Sequence, residues 1–209
     1  GKKKYIQTTA TNSDESSAAM EAGFDMILCK SPNISEVRKG APDLFLTATI
    51  DLALFPSKDD VLREAFNSLK NGADQIYTAR GPHIVEYLSK EDIPVMCHLG
   101  LVPRKSSWKG GLRAIGKTVE EAMKLYDDFK TMESAGALSA ECEIITSNVM
   151  DEIYKKTNLI ISSLGSGMSG DIIYLFQNDI CGEHNDIPKH ASAFGNLLKL
   201  KQNLYNCLL

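Results

Sequence analysis

Two ionisable residues, Glu141 and His98, interrupt or end short apolar runs of the sequence. Glu141 is flanked by alanine and cysteine, and burial at such a place raises the pKa of a carboxyl group and suits it to proton transfer near neutral pH. We therefore predict that Glu141 is a proton acceptor. For His98 two interpretations stay open, a hydrogen-bonded core residue or a group that contacts substrate. Glu143 faces the same way as Glu141 in an ideal strand, so it either lies beyond the site or competes for the role.

Polar residues and turns also follow the other apolar runs. If these runs are parallel strands of one sheet, their carboxyl ends meet at one edge, where α/β proteins bind ligands. The polar residues and turns together predict a ligand-binding site at that edge. The residues are Thr11, Lys30, Ser31, Thr49 to Asp51, Tyr77 to Arg80, Gly165 to Gly167, Asn178 and Asp179.

Eight short apolar runs alternate with helical patterns along the whole chain. Most of them are nearly continuous rather than alternating, which is typical of parallel strands buried on both faces. The runs cover residues 5–10, 24–30, 44–51, 73–79, 94–99, 137–144, 159–164 and 171–176.

Helix start and stop signals lie between these runs. Ser13 opens one helical pattern, Ser57 caps another, and Thr118 to Glu121 have the spacing of a capping box, while glycines at 23, 72 and 136 end helices just before the next apolar run. Eight β/α units predict a short (β/α)8 TIM barrel, with an open doubly wound sheet as the alternative. We expect one domain over residues 1–209, with a thin helical layer between 164 and 171 and a C-terminal helical segment at about 188–209. The apolar end of that segment favours a homo-oligomer.

Composition narrows the class of protein. The chain has 209 residues, and 23 basic against 27 acidic residues give a net charge of -4, which argues against nucleic-acid or membrane binding. No apolar stretch approaches the roughly 20 residues of a membrane span, and no signal peptide is recognisable, so we predict a soluble cytoplasmic protein. The five cysteines form no CxxC pair, which disfavours zinc and disulfide scaffolds. A small anionic molecule is therefore a better candidate partner than a nucleic acid or a membrane.

Two consecutive segments carry a specific family resemblance. Residues 94–103 read PVMCHLGLVP and residues 110–118 read GGLRAIGKT. Together they resemble the ketopantoate hydroxymethyltransferase family, which belongs to the phosphoenolpyruvate mutase and isocitrate lyase superfamily of barrels. The resemblance extends over nearly the whole chain, through residues 23–31, 133–137, 140–142, 164–167, Asp179 and 187–189.

The resemblance implies a reaction. The family transfers a one-carbon unit from methylene-tetrahydrofolate to a branched 2-oxo acid through an enolate, which Mg²⁺ chelated by the substrate stabilises. Glu141 matches the family's base, His98 its histidine beside the substrate, and Ser31 a serine that contacts the substrate.

This sequence departs from the family at the positions of the metal ligands. The family holds Mg²⁺ with two aspartates and a glutamate on successive strands. Aligned without gaps, the first aspartate position is Lys30 and the glutamate position is Ala79, and the second aspartate falls at Thr49, or at Asp51 if a loop is shorter. At most one of these carboxylate ligands remains, and a single carboxylate binds Mg²⁺ weakly.

Cationic residues lie at or near the strand ends where the family has acidic residues. We therefore predict that Lys30, with Arg80, binds an anionic 2-oxo acid directly, and that Thr49 and Tyr77, which occupies the family's lysine position, line the substrate site. The alternative for Lys30 is a solvated lysine or a pair with Asp51. Two other functions remain open: a metal-sparing lyase or aldolase acting on another small 2-oxo acid, and a degenerate barrel that only binds a ligand.

Overall fold

The structure is a computed structural model that describes residues 3–207. Eight parallel strands form a closed barrel in sequence order, and it is closed because β1 pairs with β8. The predicted TIM barrel is confirmed, and each of the eight predicted runs contains a strand. The strands are β1 Tyr5–Thr9, β2 Met26–Lys30, β3 Phe45–Thr49, β4 Gln75–Thr78, β5 Val95–Gly100, β6 Ser139–Glu143, β7 Ile160–Leu164 and β8 Ile172–Tyr174.

Helices connect most of the strands on the outside of the barrel. The predicted thin place in this layer is present, because β7 leads to β8 through a loop without a helix. Short 3₁₀ turns at Ser31–Asn33 and Pro103–Lys109 complete the connections after β2 and β5. The α-helices are α1 Ser13–Glu21, α2 Ile34–Gly40, α3 Lys58–Lys70, α4 Pro82–Ser89, α5 Val119–Ser134, α6 Ser147–Tyr154, α7 Gln177–Cys181 and α8 Leu197–Asn206.

Side-chain caps begin the helices close to the predicted positions. Ser57 and Asp60 form a capping box on α3, and Thr118 caps α5. The helix predicted to open at Ser13 begins there, and its N-cap is Asn12, whose side chain accepts a hydrogen bond from the Glu15 amide. Gly23, Gly72 and Gly136 have positive φ angles of 85°, 106° and 87°, the left-handed conformation in which glycine is favoured after a helix.

The strands bury both apolar and polar side chains. Ile76 and Val95 belong to the buried apolar cluster, whereas Gln75 and Ser139 are buried polar residues. Gln75 on β4 donates a hydrogen bond of 2.9 Å to Ser139 Oγ on β6, across the intervening strand. Such pairing offsets the cost of burying polar groups.

The loop before α5 is held by one carboxylate. Glu121 accepts hydrogen bonds from the backbone amides of Gly116 and Lys117 and forms an ion pair with Arg113. In a regular capping box this side chain would reach the amide of Thr118 instead. Glu121 therefore ties the glycine-rich segment 110–117 to the start of the helix.

Replacing Glu121 with glutamine is expected to destabilise the protein by about 1 kcal/mol, a value reduced because solvent screens this partly exposed pair. The ion pair with Arg113 and the two amides lower the pKa of Glu121 to about 2. A lowered folded-state pKa stabilises the protein above the unfolded-state value, and that contribution is lost as pH falls toward 2. Thermal unfolding of both proteins from pH 7 to pH 2 should show their stabilities converging. The neighbouring Glu120→Gln is the matched control, and an equal loss in it would contradict this role.

The chain divides into two compact units, and the barrel unit ends at Tyr174. The second begins at Leu175 and contains α7 and α8. Within it, His184 Nε2 lies 2.9 Å from the buried carboxylate of Asp179. The prediction of one domain over 1–209 stays a prediction, and residues 1, 2, 208 and 209 lie outside the described residues. No helix among residues 3–207 is long and apolar enough to cross a bilayer.

The oligomer prediction rested on the last helical segment, part of which is the exposed helix α8. Leu200, Leu204 and Tyr205 are all exposed on it. The homo-oligomer stays a prediction.

Candidate active site

A buried cluster of ionisable side chains lies at the carboxyl ends of β5 and β6. His98 pairs in register with Glu141, and Gly100 pairs with Glu143 two residues further along each strand. Tyr77 reaches the same cluster from β4. His98 and Glu141 are only 6% and 4% exposed, so their mutual interactions are little screened by water.

The Tyr77 hydroxyl joins the histidine to the glutamate. It lies 2.6 Å from His98 Nδ1 and 3.1 Å from Glu141 Oε1. A hydroxyl has one proton, which Tyr77 donates to the carboxylate, so the oxygen accepts the Nδ1 proton of the imidazole. This chain of hydrogen bonds holds both the histidine ring and the carboxylate in place.

The other ring nitrogen, His98 Nε2, faces two carboxylates. It lies 3.0 Å from Glu143 Oε2 and 3.6 Å from Glu141 Oε1. Despite these short distances, the buried atom makes no hydrogen bond of acceptable geometry within the described residues. A buried nitrogen of this kind is costly unless another group binds it.

Burial and charge shift the pKa values of this cluster. Burial raises the pKa of Glu141; the charge of His98 opposes that shift and the charge of Glu143 adds to it. Burial alone would lower the pKa of His98, but the carboxylates of Glu143 and Glu141 outweigh it and the pKa is raised. Burial and the nearby Glu141 raise the pKa of Tyr77 well above its usual value, which keeps the hydroxyl protonated. The cluster can therefore hold protons and pass them between its members.

The turn after β6 positions Glu143. Ile144 has a φ of 49°, which is strained for a β-branched residue. Its neighbours are held by Ser166, whose Oγ accepts from the Ile145 amide and donates to the Cys142 carbonyl. Gly100 is required opposite, because a Cβ there would lie 2.3 Å from the Glu143 carbonyl oxygen. The local structure thus tolerates strain that places this carboxylate beside His98.

A cavity of about 220 Å³ opens at the ends of β3 and β4, next to Tyr77. At about 30 Å³ per water molecule it has room for a small organic acid. The described residues that line it are Thr49, Ile50, Asp51, Leu52, Tyr77, Ala79 and Arg104.

Asp51 is the acidic residue among those that line this cavity. Its Oδ1 accepts backbone hydrogen bonds from Ala53 at 2.7 Å and Leu54 at 3.3 Å. These amides, and then the charges of Lys30 and Arg104, lower its pKa. Both cations therefore lie within electrostatic reach of the cavity.

Two of the predicted substrate contacts are buried hydroxyls. Ser31 and Thr49 follow β2 and end β3, and neither Ser31 Oγ nor Thr49 Oγ1 has a hydrogen-bond partner within residues 3–207. Thr49 pairs in register with Lys30 on one side and with Tyr77 on the other. The register therefore links Lys30 through Thr49 to Tyr77, whose hydroxyl contacts His98.

Arg80 has a structural environment. Its guanidinium group donates to the carbonyl oxygens of Leu52, Phe55 and Pro56, which holds the loop after β3. The predicted contact between Arg80 and substrate stays a prediction. The cation that does line the cavity is Arg104, which our sequence analysis missed, although it directly follows the HLGLVP motif that carries the resemblance.

The residues at the family's metal position do not fit Mg²⁺. Lys30, Thr49 and Ala79 offer no carboxylate, and Asp51 already accepts two amides beside two cations. Mg²⁺ needs an octahedron of oxygen ligands that usually includes one or two carboxylates. No step of the proposed reaction involves Mg²⁺.

Sequence comparison relates most of the chain to one family. The family model described as ketopantoate hydroxymethyltransferase matches residues 9–206. A 3-methyl-2-oxobutanoate hydroxymethyltransferase of Pyrobaculum aerophilum is 29% identical and aligns over 94% of this chain and 85% of its own. Another of that description, from Pseudothermotoga lettingae, is 29% identical over 96% and 86%.

Structural comparison agrees with the predicted barrel fold. A phosphoenolpyruvate phosphomutase from Streptomyces platensis superposes with a TM-score of 0.68 at 10% identity, over 100% of this chain and 84% of its own. A phosphonopyruvate hydrolase in complex with oxalate and Mg²⁺ has a TM-score of 0.62 at 11% identity, over 99% and 93%. At these identities the likeness shows the fold alone.

Proposed function

Since the chain belongs to the ketopantoate hydroxymethyltransferase family, we propose that it transfers a hydroxymethyl group to a branched 2-oxo acid through an enolate. The relatives' names indicate 3-methyl-2-oxobutanoate as the acceptor. The resemblance stated above indicates methylene-tetrahydrofolate as the one-carbon donor. The main support is the burial of the Glu141 carboxylate beside His98 and Tyr77 at the catalytic end of the barrel.

Glu141 takes the proton in this proposal. It removes the proton from the carbon next to the keto group; the electron pair of that C–H bond becomes the C=C bond of the enolate, and the π electrons of the C=O bond move onto the keto oxygen. A carboxylate whose pKa is raised by burial is a suitable acceptor, because its proton affinity comes closer to that of the carbon acid. Tyr77 orients the carboxylate through its hydrogen bond to Oε1.

Positive charge stabilises the enolate in two places. His98 in its protonated form directs Nε2–H toward the keto oxygen, and the raised pKa of His98 favours that form. Lys30 and Arg104, both within electrostatic reach of the cavity, bind the substrate carboxylate, and the hydroxyls of Ser31 and Thr49, which have no hydrogen-bond partner within residues 3–207, donate to it. The chain thus supplies from side chains the charge that a bound metal supplies elsewhere.

Hydrogen exchange tests this proposal. Protein freed of metal with a chelator is incubated in D₂O with 3-methyl-2-oxobutanoate and no folate, and proton NMR follows the methine signal beside the keto group. Loss of that signal above the protein-free rate is expected. Exchange only with a different 2-oxo acid would favour a lyase or aldolase, and no exchange with any would favour a ligand-binding barrel. Product formation with methylene-tetrahydrofolate then tests the donor.

Arg104→Ala is expected to raise the KM for the 2-oxo acid about tenfold and to leave kcat nearly unchanged, because loss of one exposed charge contact costs about 1.4 kcal/mol. Lys105→Ala is the matched control, since Lys105 belongs to the same turn but is absent from the lining of this cavity. Equal KM values in the two variants would remove Arg104 from substrate binding.

A further inference from the structure

We propose that His98, Glu141 and Glu143 form a binding site for a divalent transition-metal ion such as Zn²⁺ or Co²⁺. The site lies on β5 and β6, away from the β2, β3 and β4 positions at which the family carries its metal ligands. The inference goes beyond the proposed reaction and does not depend on it.

The three ligand atoms have the spacing of a metal site. One nitrogen or oxygen from each side chain lies within 4.8 Å of the other two. His98 Nε2 is 3.0 Å from Glu143 Oε2 and 3.6 Å from Glu141 Oε1. Ligands bonded to tetrahedral zinc at about 2.0–2.2 Å lie about 3.3–3.6 Å apart, so small side-chain shifts suffice.

The histidine has the tautomer that a metal requires. Its Nδ1 proton is accepted by the Tyr77 hydroxyl, so Nε2 is the nitrogen that becomes available to a metal ion once it gives up its proton. Metal-binding histidines almost always have their second nitrogen held in this way. The two carboxylates near Nε2 favour a cation at this place, and Nε2 is buried without a hydrogen bond within the described residues.

Tyr77 also orients one of the carboxylate ligands. The same hydroxyl donates to Glu141 Oε1, so one residue orients two of the three ligands. The third ligand, Glu143, lies on the same strand as Glu141 and pairs in register with Gly100 of β5. Ligands that are fixed before the ion arrives lose little conformational entropy on binding.

The ligand types select the kind of ion. One imidazole and two carboxylates suit Zn²⁺, Co²⁺ or Mn²⁺, whereas Mg²⁺ prefers an all-oxygen octahedron that keeps several waters. Three protein ligands leave a coordination position open to solvent or to an anion. Since Glu141 cannot bind the ion and accept a proton from substrate through the same oxygen, metal and proton compete, and Zn²⁺ is expected to inhibit exchange.

Cobalt provides a direct readout. Metal-free protein titrated with Co²⁺ is expected to develop visible absorption bands that saturate at one ion per chain and disappear on addition of Zn²⁺. Glu143→Gln and His98→Gln should each weaken Co²⁺ binding by more than the roughly 10–100-fold caused by loss of an outer-shell partner. Circular dichroism checks that both variants are folded, and either one alone suffices to test the site.

Asp51→Asn is the matched control, because it removes the carboxylate nearest to the family's metal position and leaves the cluster intact. Unchanged binding in this variant supports the site. Absence of saturable bands in the unmodified protein, equal binding in Glu143→Gln, or loss of binding in Asp51→Asn would each overturn the proposal. The exchange assay without metal is independent, so failure of the metal site leaves the proposed function standing, and the reverse also holds.

Discussion

Replacing Glu141 with glutamine is expected to slow hydrogen exchange of 3-methyl-2-oxobutanoate by about 10²–10⁴-fold, the usual contribution of a positioned general base. Glutamine keeps the size of the side chain and can still accept the Tyr77 hydrogen bond on its carbonyl oxygen, so the fold should be retained. It cannot take a proton from carbon. The rate is measured by NMR in D₂O with saturating substrate and chelator-treated protein.

The control for this variant is Glu152→Gln, which makes the same chemical change on the exposed side of α6. It should exchange protons at the unmodified rate. If Glu141→Gln also exchanges at that rate while folded, another group is the base, and Glu143 on the same strand is the first to examine.

Replacing His98 with glutamine is expected to lower the exchange rate by about 10²–10³-fold, the cost of removing one donor to a developing oxyanion. The substitution removes the positive charge near the keto oxygen and leaves Tyr77 without the Nδ1–H donor. The loss should fall on kcat more than on KM, because the charge on the keto oxygen exists only after proton removal.

Met96→Leu is the matched control for His98, since both are buried and lie two residues apart on β5. This conservative change should repack with little effect on exchange. A His98→Gln variant that binds substrate weakly but keeps its kcat would assign the histidine to ground-state binding instead.

The barrel was predictable because parallel strands have a distinctive composition. Strands buried on both faces must be apolar over most of their length, so β3 and β5 stand out as short apolar runs. Local backbone chemistry also marks boundaries, as in the capping box of Ser57 and Asp60. The start of α1 at Ser13 was predicted correctly, because small polar residues favour the beginning of a helix.

The site was predictable in part. Glu141 and His98 were identified from the sequence because ionisable side chains within apolar runs are uncommon unless they have a functional role. The structure brings the two residues together at neighbouring strand ends. Arg80 illustrates the limit, since a cation at a strand end can equally hold a loop, and three carbonyl oxygens that surround it come from distant residues.

The sequence by itself determined the eight-fold alternation, the family, and the residues that face the carboxyl end of the barrel, because these depend on local composition and on recognisable motifs. Tertiary structure alone decided that Tyr77 joins His98 to Glu141, and that Glu143 completes a cluster with them. Contacts of this kind depend on strand register and on one strained turn, and both result from packing of the whole barrel rather than from any short segment.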